Sequence, residues 1–388
     1  MASFIHSYKK INMRIGFVIE NSRLSGGSYY QTFNFLNDIK KNFKGKHYIS
    51  TYTNQKENLN TSSNSDYFFS HNFLDKVILK LSIFYFFRLF FNLLDFKTSF
   101  EKLLLDKKVD LIIFPAPSKL QFTIIKIKFI STIFDLCHIE HKNFPEIPQR
   151  EFQFREMWIN YIVKNTQAII TNSIILQKQI SKRYNFPLNR IFTIPFNPIK
   201  KTYKQKKASK INFFLYPANY WKHKNHDIII KATKLLIDKN IKNFKCIFTG
   251  SDKGYLKEII KLVNSYKLNQ YFEIKKFIND KDLVNLYTNC SAVIMTSHFG
   301  PTNLPPLEAF TYKRPLIYNK KFEKEIPKKN CLMVNVSNQS DLSQAMLKIL
   351  KNKYSKTMKL NAEKFLKLKK IQNIKNIKML ENFINNIR

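Results

Sequence analysis

Short apolar runs alternate with helical patterns along most of the chain, and this alternation strongly limits the folds open to it. Such alternation is typical of a mostly parallel sheet covered by helices on both faces. The first half of the chain contains six runs that predict strands: Arg14–Ile19, His47–Tyr52, Val109–Phe114, Ile127–Phe134, Ala168–Thr171 and Arg190–Ile194. The first half therefore predicts one α/β domain.

A second α/β series follows a change of composition after Pro195. The Lys-rich stretch 200–210 contains no glycine, and we interpret it as an interdomain linker. A chain of 388 residues is expected to form two or three domains, at roughly 150 residues each. The predicted strands of the second series are Ile211–Tyr216, Phe244–Thr249, Tyr271–Lys276, Ala292–Thr296, Pro315–Tyr318 and a short one at Leu332–Val334. A long basic helix is expected over Lys356–Arg388.

The chain is strongly basic, with 66 Lys and Arg against 27 Asp and Glu and a formal net charge of +39. Such a charge ordinarily suggests nucleic acid or an anionic membrane. However, Lys, Asn, Ile and Phe are all abundant, which is what an AT-rich coding sequence would give. The sequence also lacks any helix-turn-helix, zinc-finger or RNP-type signature, so we expect no nucleic-acid partner. The positive electrostatic field of the protein favours binding of acidic lipids or of a nucleotide diphosphate.

The four cysteines and the length of the apolar runs indicate in which cellular compartment the protein is expected. Cys137, Cys246, Cys290 and Cys331 lie far apart without a CxxC pair, which predicts reduced, buried thiols in a cytoplasmic protein. The first apolar run, Ile15–Ile19, is too short for a secretory signal, and no run reaches the roughly 18 apolar residues of a spanning helix.

One segment departs from the plain α/β pattern. Asp75–Phe96 carries six aromatic residues between Phe84 and Phe91, with Lys76, Lys80 and Arg88 interspersed. A helix here would be apolar nearly all round except for its basic residues. It would suit either a core helix or a helix lying in a membrane interface, and both interpretations remain open.

The run Leu304-Pro305-Pro306-Leu307-Glu308-Ala309-Phe310 sets a carboxylate at the start of a predicted helix just after a strand. Ligands of open α/β sheets bind at the carboxyl ends of strands. A carboxylate there can accept hydrogen bonds from vicinal hydroxyls such as those of a ribose, and a helix N-terminus suits an anion. Pro-Pro-x-Glu is also an ordinary helix start, so this run alone leaves two interpretations.

The flanking residues carry a resemblance. Phe299–Asn303 before this run and Tyr312–Ile317 after it resemble the donor-binding segment of the retaining glycosyltransferases of family 4, which have the GT-B fold. The run 216–226, Tyr-Pro-Ala-Asn-Tyr-Trp-Lys-His-Lys-Asn-His, resembles the other donor-side loop of that family. The resemblance spans most of Met13 to about Leu350.

The resemblance implies an α/β fold of two Rossmann-like, doubly wound domains facing a central cleft. The implied domains are 1–200 on the acceptor side and 201–370 on the nucleotide-sugar side, with a helix over 371–388 that crosses back to the N-terminal domain. The implied activity is transfer of a sugar from a nucleotide diphosphate sugar to an acceptor hydroxyl with retention at the anomeric carbon. The site must then supply cations and amides for the leaving diphosphate.

The family's motifs assign roles on the C-terminal wall of the implied cleft. Lys224 aligns with the diphosphate lysine, and Glu308 with the glutamate that grips the ribose. The family's preceding arginine falls at Asn219 and its first glutamate at Gly300, so both standard contacts are altered here. The donor-binding residues implied by the resemblance are Gly26, Gly27, Asn219, Lys224, Asn225, Gly250, Gly300, Thr302, Asn303, Leu304 and Glu308.

On the N-terminal wall, Ser25-Gly26-Gly27-Ser28 follows the first strand and opens a helix, as the family's glycine loop does. A plain turn is the alternative. His138, in Asp135-Leu136-Cys137-His138, matches an Asp-x-x-His of the family and would bond donor or acceptor; otherwise it is a structural histidine. The implied catalytic residues are thus His138, Lys224 and Glu308.

We expect no cofactor and no metal site. Asp280-Lys281-Asp282 has a metal-binding spacing but is typical of a helix N-cap. The expected partners are a nucleotide sugar donor, a glycan or lipid-linked glycan acceptor in lipopolysaccharide, capsule or other surface glycan synthesis, and an anionic membrane surface. The expected location is cytoplasmic or peripheral on the inner face of the cytoplasmic membrane. The alternative is a non-catalytic sugar- or membrane-binding relative.

Overall fold

The computed structural model describes residues 13–22, 27–59, 65–141, 143–198, 201–203, 211–300, 304–352 and 354–387. These residues form two compact units. Unit 1 comprises 1–136, 153–195 and 372–388, and unit 2 comprises 137–152 and 196–371, apart from the residues outside the described ranges. The domain boundaries inferred from the sequence stay a prediction.

The described part of unit 1 is built on a seven-stranded parallel sheet of order β3-β2-β1-β4-β5-β6-β7. The strands are β1 (Arg14–Ile19), β2 (Tyr48–Thr53), β3 (Asp66–Phe68), β4 (Leu111–Ile113), β5 (Lys128–Thr132), β6 (Ile169–Thr171) and β7 (Ile191–Thr193). Six of these strands fall within the predicted runs or overlap them. The short strand β3 was missed, because it pairs only with β2 at the sheet edge and alternates little in polarity.

Helices cover both faces of this sheet. They are α1 (Gly27–Phe43), α2 (Phe73–Leu81), α3 (Tyr85–Leu93), α4 (Ser99–Asp106), most of α6 (Gln149–Asn165) and α7 (Ile174–Tyr184). The short helix α5 (Cys137–Glu140) precedes α6 along the chain and belongs to unit 2. Two buried clusters result. One includes Phe17, Phe35 and Ile113, and the other includes Val18, Phe100 and Ile112. Alternate residues of β1 therefore point to opposite cores, as the pleat requires.

Unit 2 has a six-stranded parallel sheet of order β10-β9-β8-β11-β12-β13 among its described residues. Its strands are β8 (Asn212–Pro217), β9 (Phe244–Thr249), β10 (Phe272–Lys275), β11 (Ala292–Met295), β12 (Leu316–Asn319) and β13 (Leu332–Val334). Its helices are α8 (His226–Asp238), α9 (Leu256–Ser265), α10 (Asp280–Asn289), α11 (Leu304–Thr311), α12 (Gln339–Leu350) and the first part of α13 (Lys356–Asn385). All six predicted strands are present.

Both sheets reverse their strand order once. In unit 1 the reversal lies between β1 and β4, and in unit 2 it lies between β8 and β11. The chain leaves such neighbouring strands in opposite directions, so a crevice opens between the loops at their carboxyl ends. Each unit is therefore Rossmann-like and doubly wound, as the sequence predicted.

Two smaller expectations can be checked here. The four cysteines are buried and free, as predicted. The cap of α10 is Asn279, whose side chain accepts from the amide of Asp282. Asp280 is therefore the first residue of the helix. The sequence predicted the N-cap within Asp280–Asp282, and the N-cap lies one residue earlier, at Asn279.

The C-terminal part of α13 packs into unit 1. Ile377, Leu380 and Ile384 are fully buried in the same cluster as β1 and β4 residues. Polar contacts reinforce this packing: Glu381 pairs with Lys46 at 2.8 Å, and the Asn373 amide donates to Asp38 at 2.7 Å. The last helix is thus part of the unit 1 core.

We predict that Leu380→Ala lowers the free energy of unfolding of unit 1 by about 2–5 kcal/mol, since it removes a fully buried side chain and leaves a cavity. Chemical denaturation would measure this. Leu368→Ala, on the same helix but 66% exposed, is the matched control and should change stability by less than about 0.5 kcal/mol. Equal effects would contradict the packing of α13.

Candidate functional site

The switch point of unit 2 gathers most of the residues singled out in the sequence. The loop after β8 leads through Lys222–Lys224 to the start of α8, and the loop after β11 leads to the start of α11. Two helix N-termini therefore lie after neighbouring strands. Unpaired backbone N–H groups and the helix dipole make such a place favourable for a diphosphate.

Lys224 comes from the β8 loop, at the end of a single 3-10 turn. Its carbonyl oxygen accepts from the Tyr216 hydroxyl at 2.5 Å and from the Thr296 hydroxyl at 3.2 Å. Thr296 follows β11 directly, so these bonds tie the two loops together. The backbone of Lys224 is thereby fixed between two strands.

Asn225 completes this turn. It adopts a left-handed conformation with φ of 57°, which Asn tolerates better than most residues. Its carbonyl accepts from Thr296 at 3.1 Å, and its side-chain amide donates to the carbonyl of Val336 at 2.9 Å. The described contacts of Asn225 therefore set the direction in which α8 begins.

Asn219 and Gly250 meet where the loops after β8 and β9 cross. The Asn219 side-chain oxygen accepts from the Ser251 amide at 2.9 Å. A Cβ at Gly250 would lie 2.4 Å from the Ala218 carbonyl oxygen, so only glycine fits this approach. Both residues hold the loops together here, and their donor-binding role stays a prediction.

Glu308 lies in the second turn of α11, and its surroundings are aromatic. Its carboxyl accepts a 2.6 Å hydrogen bond from the hydroxyl of Tyr287 on α10, whose ring stacks on Tyr312 at 5.5 Å between centroids. Burial raises the pKa of Glu308, and the Tyr287 hydrogen bond and the charge of Lys201 act in the other direction. Leu304, the first residue of α11, is buried.

The sequence had given no sign of Tyr287 as the partner of Glu308. The two residues are 21 positions apart and on different helices. Their contact arises because α10 and α11 flank β11 before and after it along the chain. The hydroxyl holds one carboxyl oxygen and so fixes the orientation of the Glu308 side chain.

A segment from the first half of the chain completes unit 2. Residues 137–152 belong to this unit, although the sequence division placed them in the N-terminal domain. Glu146 accepts from the backbone amide of His223 at 3.1 Å and lies 3.3 Å from its Nδ1. His141 lies 3.1 Å from the ammonium of Lys321. The segment is therefore anchored to the loop that carries Lys224 and to the residues that follow β12.

His223 sits at the centre of a small aromatic cluster. Its ring stacks on Phe299 with 3.9 Å between centroids, and Phe144 lies edge-on to Phe299 at 5.4 Å. Burial lowers the pKa of His223 to about 2, and the Lys224 charge acts in the same direction. A carboxylate can only accept, so the Nδ1 of His223 donates to Glu146. Sequence reasoning did not assign this cluster a role.

His138 is fully buried in α5, and its ring packs 5.5 Å from that of Phe152. The structure thus places His138 in unit 2, and its catalytic role stays a prediction. Gly300 has a φ of 78°, the left-handed region that favours glycine. Gly26, Thr302 and Asn303 lie outside the described residues.

The switch point of unit 1 lies between the loops after β1 and β4. Gly27 is the first residue of α1, and the Asn21 amide donates to the Ser28 hydroxyl at 2.9 Å. Across the crevice, the Glu20 carboxyl hydrogen-bonds Ser118. Burial is the larger influence and raises the pKa of Glu20, which the Ser118 bond partly offsets. Unit 1 therefore has its own polar crevice with a carboxyl group that the sequence did not single out.

Known proteins resemble this chain in sequence and in fold. Residues 199–365 match the family of glycosyl transferases group 1. The O-antigen chain mannosyltransferase RfbU of Salmonella typhimurium is 26% identical over 155 residues, which cover 40% of this chain and 42% of that protein. The chain therefore spans about two fifths of the length of this curated relative.

Solved structures match nearly the whole chain. Anabaena Alr3699/HepE in complex with UDP-glucose is 15% identical, with a TM-score of 0.72 over 96% of this chain and 100% of that one. Sucrose-phosphate synthase from Thermosynechococcus elongatus is 14% identical, with a TM-score of 0.71 over 96% and 99%.

The two Rossmann-like units have the GT-B class of fold, as the sequence predicted. The match to the glycosyl transferases group 1 family covers residues 199–365, less than half of the chain.

We predict that Gly250→Ala destabilises unit 2 by about 1–3 kcal/mol, because the added methyl group meets backbone rather than a movable side chain. Ser251→Ala, whose backbone amide keeps its bond to Asn219, is the control and should have little effect. Thermal or denaturant unfolding of both variants measures the difference, and an unaffected Gly250→Ala would show that the loops separate freely.

Proposed function

We propose that the chain is a retaining glycosyltransferase of family 4. It moves a sugar from a nucleotide diphosphate sugar to an acceptor hydroxyl in the synthesis of lipopolysaccharide, capsule or another surface glycan. The observation that carries the proposal is the position of Lys224 and Glu308 after β8 and β11, the two strands that meet at the switch point of unit 2. The match to RfbU and the UDP-glucose held by the Anabaena protein support it.

Each group has a defined task in this proposal. The Lys224 ammonium and the amides at the starts of α8 and α11 stabilise the negative charge that develops on the leaving diphosphate. Glu308 accepts from the ribose hydroxyls while Tyr287 holds its other acceptor position. In place of the family's first glutamate, the run Gly300–Asn303 is proposed to supply amides and short polar side chains to the sugar.

The acceptor is proposed to bind unit 1, whose own switch point carries Gly27 and Glu20. The carboxyl of Glu20, whose pKa burial raises, is available to the acceptor there, and the crevice lies where ligands of doubly wound sheets bind. The proposed transfer uses no metal. The proposed location is cytoplasmic, which the four buried, free cysteines support. The non-catalytic alternative is disfavoured because Lys224 and Glu308 are both present.

The first test is a panel of nucleotide diphosphate sugars screened by thermal shift and then by transfer or hydrolysis. We predict that one donor stabilises the wild type, and that Lys224→Ala and Glu308→Gln each weaken its binding by about tenfold to a hundredfold. This is the usual loss when a charged hydrogen-bonding partner is removed.

Two substitutions serve as matched controls. Lys222→Ala removes an exposed lysine from the same 3-10 turn, and Glu273→Gln removes an exposed carboxylate from the edge strand β10. Both should bind the donor as the wild type does. If no donor binds, or if the controls lose as much affinity as the site variants, the proposed donor site is wrong.

The raised pKa of Glu308 predicts a pH dependence. As pH falls through this pKa the carboxylate is protonated and loses acceptor capacity, so donor affinity should fall at a higher pH than an ordinary glutamate would produce. Titration calorimetry across pH measures this fall, and Glu308→Gln should abolish it.

The same shift has a consequence for stability. A raised carboxyl pKa means that the fold binds this proton more tightly than the unfolded chain, so ionisation of Glu308 lowers the free energy of unfolding as pH rises. At neutral pH Glu308→Gln should therefore melt no lower than the wild type. A clear loss of stability would show that the carboxylate supports the fold.

A further inference from the structure

Helices α2 and α3 expose an unusual amount of apolar surface. No residue of α3 is buried, and α2 buries only Asp75 and Ile78. Phe73 is 80% exposed, Phe86 71% and Leu93 85%. We call the exposed large side chains of residues 73–96 the apolar ridge: Phe73, Leu74, Val77, Phe84, Tyr85, Phe86, Leu89, Phe90, Leu93, Leu94 and Phe96. So many exposed apolar side chains on two consecutive helices indicate an interaction site.

The inner side of α3 does not rest on a packed core. A cavity of about 520 Å³ lies between α2, α3, the short 3-10 helix Lys119–Thr123 and α6. Arg88 lines this cavity and donates to the carbonyl oxygens of Ser82 and Ile83 at 2.7 and 2.9 Å. Its guanidinium also lies 4.7 Å from the Tyr161 ring centroid. A cation bound to carbonyls and aromatic rings therefore helps to hold α3 over the cavity.

The charges around the apolar ridge are arranged for an anionic partner. Lys76 and Lys80 are exposed on α2. The nearby carboxylates are engaged elsewhere: Asp75 accepts from the amides of Asn72 and Ser99, and Asp95 pairs with Lys97 and Lys126. The ridge thus presents apolar side chains flanked by lysines, which suits anionic lipid headgroups above an apolar layer.

The position of the ridge fits a bilayer. Helix α2 follows β3 and the 3-10 helix follows β4, so both begin at the carboxyl edge of the unit 1 sheet, where its crevice opens. Each of α2 and α3 has nine residues, about 14 Å, which is far short of the roughly 30 Å hydrocarbon layer. Such helices lie in the interface rather than across it.

A second copy of this chain is a poorer occupant. The formal net charge is +39, and joining two ridges would bring Lys76 and Lys80 of both copies together. Like charges at such a contact oppose association. Binding to an anionic membrane is instead strengthened by each lysine near its surface, by about 1 kcal/mol of binding free energy per lysine.

We propose that the apolar ridge of α2 and α3 docks the protein on an anionic phospholipid bilayer. The docking itself is independent of the proposed sugar transfer, and only its purpose rests on that function. Bound this way, the carboxyl edge of unit 1 faces an acceptor carried by a lipid.

The test is co-sedimentation of the full chain with vesicles of phosphatidylcholine, alone or mixed with phosphatidylglycerol. We predict binding to the mixed vesicles and little to phosphatidylcholine alone, with affinity falling as salt rises. Phe86→Ser with Leu93→Ser should weaken binding at least about tenfold, since both side chains would be immersed in the bilayer. Lys76→Gln with Lys80→Gln should weaken it by about tenfold or more.

The matched control is Leu368→Ser with Ile371→Ser, which removes side chains 66% and 64% exposed on helix α13, a more basic helix than α2 or α3. It should bind vesicles as the wild type does. Unchanged melting temperatures and donor binding of all variants would separate lost docking from lost folding and from the sugar-transfer proposal.

Three outcomes would overturn the proposal. The wild type could fail to bind mixed vesicles, the ridge variants could bind as well as the wild type, or the α13 control could lose binding equally. If the wild type fails to bind mixed vesicles, sedimentation velocity would test for self-association. An oligomer of the wild type that is lost in the ridge variants would identify the ridge as an interface between copies.

Discussion

A shared hydrogen bond from the single proton of the Thr296 hydroxyl, to the carbonyl oxygens of Lys224 and Asn225, joins the central loops of unit 2. Much of the candidate site depends on this junction. It fixes the turn before α8, and the amide of His298 continues the junction by donating to the carbonyl of His223. With the loops joined, Phe299 can stack on His223 and the segment around Glu146 can anchor to both. A buried threonine hydroxyl with two carbonyl partners thus organises a site whose chemistry belongs to other residues.

The layered fold was predictable because its signals are local. Apolar runs separated by helical patterns predicted two parallel sheets, and twelve of the thirteen strands found among the described residues coincide with or overlap those runs. The exception, β3, is three residues long at a sheet edge, where burial and alternation give little signal. The strand order followed only from the coordinates, since which strands become neighbours depends on packing over the whole unit.

The site was predictable only in part, because some of its contacts join residues far apart in the chain. Lys224 and Glu308 stand in continuous motifs, whereas Tyr287 reaches Glu308 from another helix and Glu146 reaches His223 across 77 positions. Nothing in a linear pattern links such pairs. The aromatic segment at 75–96 was equally open from sequence, because composition cannot tell a core helix from an interfacial one. Only the finding that no residue of α3 is buried decides against the core.

The end of α13 gives the chain an order of assembly. Ile377, Leu380 and Ile384 fill the core beneath β1 and β4, yet they are synthesised after all of unit 2. At a translation rate of about 5–20 residues per second, the residues between Pro195 and Gln372 take roughly 10–35 s to appear. During that interval any sheet that unit 1 forms lacks the side chains of α13 that cover its apolar face. The growing chain must keep that face from aggregating until its own last helix covers it.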